Sequence, residues 1–334
     1  MPLPKPRGPL SEELVARLVA AGSISTGSIS GGSISGGSIS GGSISEDPGS
    51  REDAAISLWI LYELSYRGYA EVDDALEFDP ELIRLRRRLE ADLEQRLRER
   101  WPGTPAYDRD GTGFAEALFA MIEADDGPSL ARYLQKDATA DQAIELLKCR
   151  SLYHLKESDP VSFTLPRLPV GPRAALAELQ YDEYGGGRPE RLHAHLFARG
   201  LEAAGLDPSE GAYVDQAPLE VLEQNNAMSL FGLNRRLRGA SVGHLAAFEA
   251  TSSLPCRRVA QGLERLGFPE ETRAYYEEHV EADAVHEQLA ARAICAALIE
   301  AEPDTEDDVW FGAWTCLDLE GRIARHLFDR WGVA

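Results

Sequence analysis

A chain of 334 residues with 43% hydrophobic content buries a sizeable core, as one large domain with an appendage or as two modest ones. Its 56 acidic against 34 basic side chains leave a formal charge of −22, which argues against nucleic acid, whose phosphates need a basic stripe, and against anionic lipid; a small-molecule substrate is the expected partner. Cys149, Cys256, Cys295 and Cys316 form no CxxC pair, no apolar run approaches the roughly 20 residues of a membrane span, and MPLPKPRGPLSEEL lacks a secretory stretch, so neither cluster, disulfide framework nor membrane is indicated and the expected location is cytoplasmic.

Within residues 1–21, SEELVARLVAA predicts a short helix with Ser11 as its N-cap, docked on the main body. Residues 22–50 carry a five-residue repeat that places Ile24, Ile29, Ile34, Ile39 and Ile44 at a period of neither helix nor strand, and its Gly/Ser richness predicts a flexible linker. Between 51 and 109, apolar residues recur at helical spacing in AAISLWILYELSYRGY and PELIRLRRRLEADLEQRLRERW, up to a domain boundary in the Pro-, Gly- and Asp-rich WPGTPAYDRDGTG. A second helical body spans 110–334, with elements near 113–124, 128–136, 140–158, 172–184, 189–204, 217–237, 239–253, 255–266, 269–301 and 305–331. Convincing strands are absent. The fold class is all-α, a bundle whose site would be built in the core from facing helices.

Chemistry-bearing residues recur along this second body. Glu157, in LYHLKESDP, closes a helix before the breaker Ser-Asp-Pro and by pattern alone is an average surface residue. In QYDEYGGGRPERLHAHLF, Glu183 ends one helical run, three glycines interrupt it, Pro189 opens the next, and His193 falls in that helix's first turn; on spacing, Asp182, Glu190 and His195 stand as alternatives. Arg235, Arg236 and Arg238 in NRRLRG are conspicuous in an acidic chain, either as a clamp for a substrate carboxylate or, more commonly, as a solvated or ion-paired face. Glu249 in GHLAAFEATSSLP has Leu245, Ala246, Ser252 and Ser253 one turn away, which predicts that it faces inward, while His244 points elsewhere.

The most informative stretch is YYEEHVEADAVHEQLAARA. At about 100° per residue, His279, Asp283 and His286 fall within roughly 60° of one another on a helix. Tyr275, Ala282, Ala290, Ala293 and Ala297 share their stripe, and Glu277, Glu281 and Gln288 lie opposite. A solvated acidic helix with incidental histidines fails on position, because buried ionisable groups are costly unless paired or bound to metal. Tyr275 and Tyr276 are candidates to line a pocket there.

HVEADAVH, the FEATSSLP glutamate, DEYGGGRPERLH and LYHLKESDP together resemble the haem-oxygenase-like di-iron oxidases, within them the iron-containing redox enzymes and their N-oxygenating members, over residues 120 to 300. The resemblance implies a haem-oxygenase-like bundle with two iron ions. It implies that His279, Asp283 and His286 on one helix, with Glu183, His193 and Glu249 from earlier helices, are metal ligands and catalytic, and that Glu157 matches an additional carboxylate of N-oxygenating members. The region before Asp110 resembles a helical dimerisation segment of some members, so a homodimer is expected, and no cupin domain is expected after the helical body.

Three imidazoles with three or four carboxylates and no thiolate suit iron or manganese. Two ferrous ions would balance Glu157, Glu183, Glu249 and Asp283, so the assembly repels itself without metal, and folding and iron loading are coupled. The expected activity is O₂-dependent oxygenation of a nitrogen in an amine or guanidine of an amino-acid-like molecule in specialised metabolism, with O₂ as co-substrate and an external electron donor. Oxidative C–C cleavage or desaturation of an aliphatic or amino acid is the second reading. A ferritin-like iron-handling bundle, with Glu190-x-x-His193 and Asp283-x-x-His286 as paired motifs, is the third.

Overall fold

The structure, a computed structural model, describes residues 1–25, 49–109, 111 and 113–333, with residues 22–25 and 281–285 described by their backbone alone. Its helices in chain order are α1 (Pro9–Ser25), α2 (Arg51–Glu63), α3 (Pro80–Arg100), α4 (Gly113–Glu123), α5 (Leu130–Lys136), α6 (Ala140–His154), α7 (Asp159–Ser162) and α8 (Val170–Glu183). They continue as α9 (His193–Ala203), α10 (Leu219–Leu233), α11 (Arg238–Ala250), α12 (Ser253–Arg265), α13 (Glu270–Gln288), a π-helical stretch (Leu289–Ala296), α14 (Ala297–Ala301) and α15 (Glu306–Trp331). Among the described residues there is no strand, and no helix is long and apolar enough to cross a membrane.

Helix α1 docks as expected, through the fully buried stripe Leu10, Leu14 and Leu18. It starts at Pro9, however, and Ser11 is not its N-cap. Asp53 of α2 accepts from the Leu10 and Ser11 N–H groups at 2.9 and 2.8 Å, so the free amides are capped from a neighbouring helix, and Ser11 Oγ accepts from the Arg7 and Gly8 N–H groups instead. The helix continues to Ser25, and repeat residues 26–48 lie outside the described residues.

Helix α2, apolar on nearly all sides, is buried at every position from Asp53 to Glu63 and packs on α1, α3 and α10. Its buried Glu63 pairs with Lys156, which lies just past the end of α6. One apolar cluster joins Ile56 and Leu93 to Leu230 and Phe311, and a second joins Phe114 and Leu176 to Ile294 and Trp310. Between α11 and α15 the backbones approach very closely: a Cβ on Gly243 would lie 1.9 Å from the Val309 carbonyl oxygen, and one on Gly312 would lie 2.0 Å from that of Ala240.

The predicted helix over 269–301 is present, with a change of winding inside it. After Gln288 the chain runs as a π-helix, whose wider turns move the inward face on by one residue. Ala290 is buried as expected, but Ala293 and Ala297 are half-buried, and Ala291, Ile294, Cys295 and Leu298 take the core positions.

Candidate metal centre

The turn between α8 and α9 builds the centre of the site. Gly185, Gly186 and Gly187 have φ of 74°, 62° and 77°, a left-handed run that side chains avoid, and a Cβ on Gly185 would lie 2.6 Å from the Leu192 nitrogen. This tight reversal turns the last residue of α8 toward the first of α9. Glu183 Oε2 accordingly sits 3.0 Å from His193 Nδ1, with both side chains buried.

Glu157 is not on a helix. Helix α6 ends at His154, and Glu157 occupies the turn before α7, where it is 9% exposed rather than on the surface. The chain turns over residues 155–158, and α7 opens at Asp159 with Pro160 in its first turn, where the missing N–H costs little. Buried Tyr275 holds the carboxylate in place: its hydroxyl donates to Glu157 Oε2 and lies 2.6 Å from His154 Nδ1, which is itself 3.2 Å from that same oxygen. Glu157 Oε1 is the oxygen that faces the other candidate groups, 3.9 Å from His279 Nε2 and 4.0 Å from His193 Nδ1.

Two buried groups result. Ligand-type atoms of Glu157, Glu183, His193 and His279 lie within 4.8 Å of one another, and so do those of Glu183, Glu249 and His286. Glu183 belongs to both, with Oε2 toward His193 and Oε1 3.5 Å from His286 Nδ1. Glu249 Oε2 is also 3.5 Å from that nitrogen. The imidazole tautomers follow from their outer partners. His279 Nδ1 is 2.7 Å from the Tyr275 carbonyl, which can only accept, so Nδ1 carries the hydrogen and Nε2 presents its lone pair inward. His286 Nε2 faces Asp182 Oδ2 at 3.4 Å, which leaves Nδ1 facing Glu183 and Glu249.

The electrostatics of the metal-free site follow from crowding these groups away from water. Burial alone would lift the Glu183 carboxyl, but the His193, His279 and His286 imidazoles hold it down at about 2. Burial opposes charge on His286 too, yet the Glu249 and Glu183 carboxylates raise it to about 9. His193 is raised in the same way by Glu183. His279, desolvated and beside His193 with ring centroids 4.5 Å apart, falls to about 4. Burial raises Glu249. Protons on His193 and His286 thus supply the positive charge that a bound cation would otherwise bring.

These residues fit iron on their own geometry. The donor set is nitrogen and oxygen without thiolate. His193 Nδ1 and His286 Nδ1 are buried without a hydrogen bond although carboxylate oxygens lie 3.0 and 3.5 Å away, so the groups are close but not aimed at one another, as ligands converging on a third body are. A cavity of about 10 Å³, comparable to the space of a single water, touches Glu157, Glu183, Glu249 and His279.

Of the seven sequence-predicted site residues, six are therefore brought together. Asp283 lies on α13, four residues after His279 and three before His286, and its side chain is outside the described residues. Of the alternatives on spacing, Glu190 and His195 are exposed and join neither group, and Asp182 reaches only the outer nitrogen of His286. In the arginine patch, Arg236 is paired with Glu94 and Arg238 with Glu302, the ion-paired alternative for those two, at the far end of α11 from Glu249, and Arg235 is exposed. His154 was missed. Its only signal is that LYHLKE places it three residues before Glu157.

A profile of the iron-containing redox enzymes matches residues 144–321, just over half of the chain and every residue of both buried groups. The nitrosourea synthase of Streptomyces achromogenes subsp. streptozoticus is 32% identical over 123 residues, covering 37% of this chain and 26% of that enzyme, so the chain spans about a quarter of the length of the curated relative it matches. Among solved structures, a CADD-like protein of unknown function from Nostoc punctiforme is similar at a TM-score of 0.52 and 14% identity, over 67% of this chain and 99% of that one. A second crystal structure of it gives 0.50 over 67% and 96%, and at such identity the likeness shows the fold alone. With a haem-oxygenase-like all-α fold and a buried Glu/His cluster compatible with iron, the chain belongs to the iron-containing redox enzyme family and is an oxidoreductase.

Proposed function

We propose that the two buried groups hold one iron each and that the protein is an O₂-dependent di-iron oxygenase that hydroxylates nitrogen on an amine or guanidine of an amino-acid-like small molecule. The observation that carries the reading is the double membership of Glu183, a single carboxylate whose two oxygens face two separate sets of ligand atoms. Glu157, His193 and His279 would hold one ion and Glu249 and His286 the other, with Glu183 between them and Asp283 completing the set. The match to a nitrosourea synthase, whose named product carries oxidised nitrogen, directs the reading to N-oxygenation.

Bound iron would supply the redox capacity for O₂ activation. The balance is R–NH₂ + O₂ + 2e⁻ + 2H⁺ → R–NHOH + H₂O, with the electrons from an external donor. The chain's own residues do the rest. The Tyr275 carbonyl fixes the His279 tautomer, and the Tyr275 hydroxyl fixes the Glu157 carboxylate. Tyr153, Val161, Leu245 and Phe248 wall the cavity with apolar surface and keep water out. Residues 51–109 would serve a homodimer.

The test is anaerobic Fe(II) loading, a count of iron per chain, then exposure to ¹⁸O₂ with a reductant and a panel of amines and guanidines. Two irons per chain and one ¹⁸O on a product nitrogen are expected. Olefin or aldehyde products would replace the reading with desaturation or C–C cleavage. Iron loss on changing Glu190 but not Glu183 would favour iron handling, and an iron count near zero would refute a metal centre altogether.

A further inference from the structure

A second cavity, of about 30 Å³, shares Tyr153, Glu157, Val161 and Leu245 with the one at the metal centre, but Glu183 and Glu249 do not line it. Met228 and Phe231 of α10 make its wall apolar. His244 of α11 breaks that pattern. It is 94% buried by its 6% exposure, lines the cavity, and its Nε2 has no hydrogen-bond partner. Ser241, one turn earlier, accepts from the Thr164 hydroxyl at 2.8 Å and keeps its own proton to donate. A buried polar atom without a partner costs about 1–3 kcal/mol, and beside Pro160, Val161, Met228, Phe231 and Leu245 nothing in the apolar part of the wall offsets it.

We infer that this cavity is a specificity pocket for an uncharged hydrogen-bonding group of two or three heavy atoms, a primary amide or hydroxyl at the end of the substrate remote from the reacting nitrogen, and that His244 and Ser241 recognise it. The inference rests on the oxygenase reading for the word substrate, though not for the pocket. Size follows from volume, since one water needs about 10–15 Å³ in the same measure. Neutrality follows from the wall. No lysine or arginine lines it to receive a carboxylate, Glu157 would repel one, and the Glu157 Oε2 that might attract a cation is held by Tyr275. Burial keeps His244 down at about 4, so its Nε2 meets the ligand on a neutral imidazole, as donor or acceptor according to the tautomer, and an amide or hydroxyl matches either.

The probe is formamide, with formate as its anionic counterpart, titrated into the full-length metal-free chain while the His244 ring resonances are followed by NMR. Three heavy atoms bind no tighter than about millimolar, so the titration extends to several hundred millimolar. A saturable shift with formamide, none with formate, at least tenfold weakening in His244→Leu and retention in His244→Gln are expected. Should His244→Leu fail to fold, Ser241→Ala serves, with a weakening of several-fold. No saturable shift, equal response to formate, or water as the only occupant in crystals soaked with formamide would overturn the inference. Iron counted separately divides the outcomes: iron without formamide binding removes the pocket alone, and formamide binding without iron removes the oxygenase reading alone.

Discussion

Replacing Glu183 with glutamine keeps the shape of the side chain and removes its charge, which makes E183Q the sharpest perturbation of the centre. Glu183 oxygens lie 3.0 Å from His193 Nδ1 and 3.5 Å from His286 Nδ1. At an effective dielectric constant of about 20, a unit charge at either distance is worth about 5 kcal/mol, a ceiling of about 3.5–4 pK units on each imidazole. His286, raised to about 9, keeps Glu249 at 3.5 Å, so part of its support survives. Its pKa in the metal-free variant should fall by about 1–3 units. If each buried group holds an iron as proposed, the consequence is larger, because the amide would remove negative charge from both sites at once. E183Q should bind less than one iron per chain, whereas E157Q, which disturbs one group only, should keep about one while losing N-oxygenation. NMR titration of His286 and colorimetric iron after anaerobic loading are the assays. Two irons bound by E183Q at unchanged affinity, or a His286 pKa that does not move, would refute the assignment of Glu183 to both groups.

Three further outcomes are expected. Tyr275→Phe removes the donor to Glu157 and the hydroxyl that His154 Nδ1 faces, and should cost about 1–3 kcal/mol in urea denaturation, with less iron retained on dialysis; wild-type values on both would show that the phenol is not what orients Glu157. Gly243→Ala forces a methyl into the Val309 carbonyl and should lower the Tm by several degrees, at a cost of about 1–3 kcal/mol or more, so an unchanged melting curve would contradict the close approach of α11 and α15. For the metal-free chain, three groups define a pH optimum. His279 and His244, near 4 when folded, give stability that is full above their unfolded value of about 6.5 and is lost as pH falls toward 4. His286 acts in the opposite sense, its contribution being full below about 6.5 and lost as pH rises through about 9. The urea midpoint should therefore peak near pH 6.5, and a steady rise from there to pH 10 would rule out the raised His286.

Much of the site was legible in local pattern because helical periodicity is a short-range property. The i, i+4, i+7 spacing of His279, Asp283 and His286 fixes a common face wherever the helix packs, and the buried His279 and His286, with Glu277 and Gln288 exposed, follow from it. The triple glycine likewise declared a sharp turn between Glu183 and His193. Glu157 was not legible, because its burial depends on Tyr275, 118 residues away, reaching across to it.

Periodicity, composition and charge by themselves determined that this chain is all-α, that the candidate donors are imidazole and carboxylate without a paired thiolate, and that its net charge is strongly acidic. Tertiary structure alone decided the rest. It made Asp53 rather than Ser11 the cap of α1, moved the inward face of the helical run after His286 by one residue through a π-helical stretch, and turned Arg236 and Arg238 into partners of Glu94 and Glu302. It also set one glutamate between two histidines from different helices and left His244 facing a cavity. The division has one physical cause: local sequence fixes which way a side chain leaves its own helix, but what it meets there is set by packing between segments far apart in the chain.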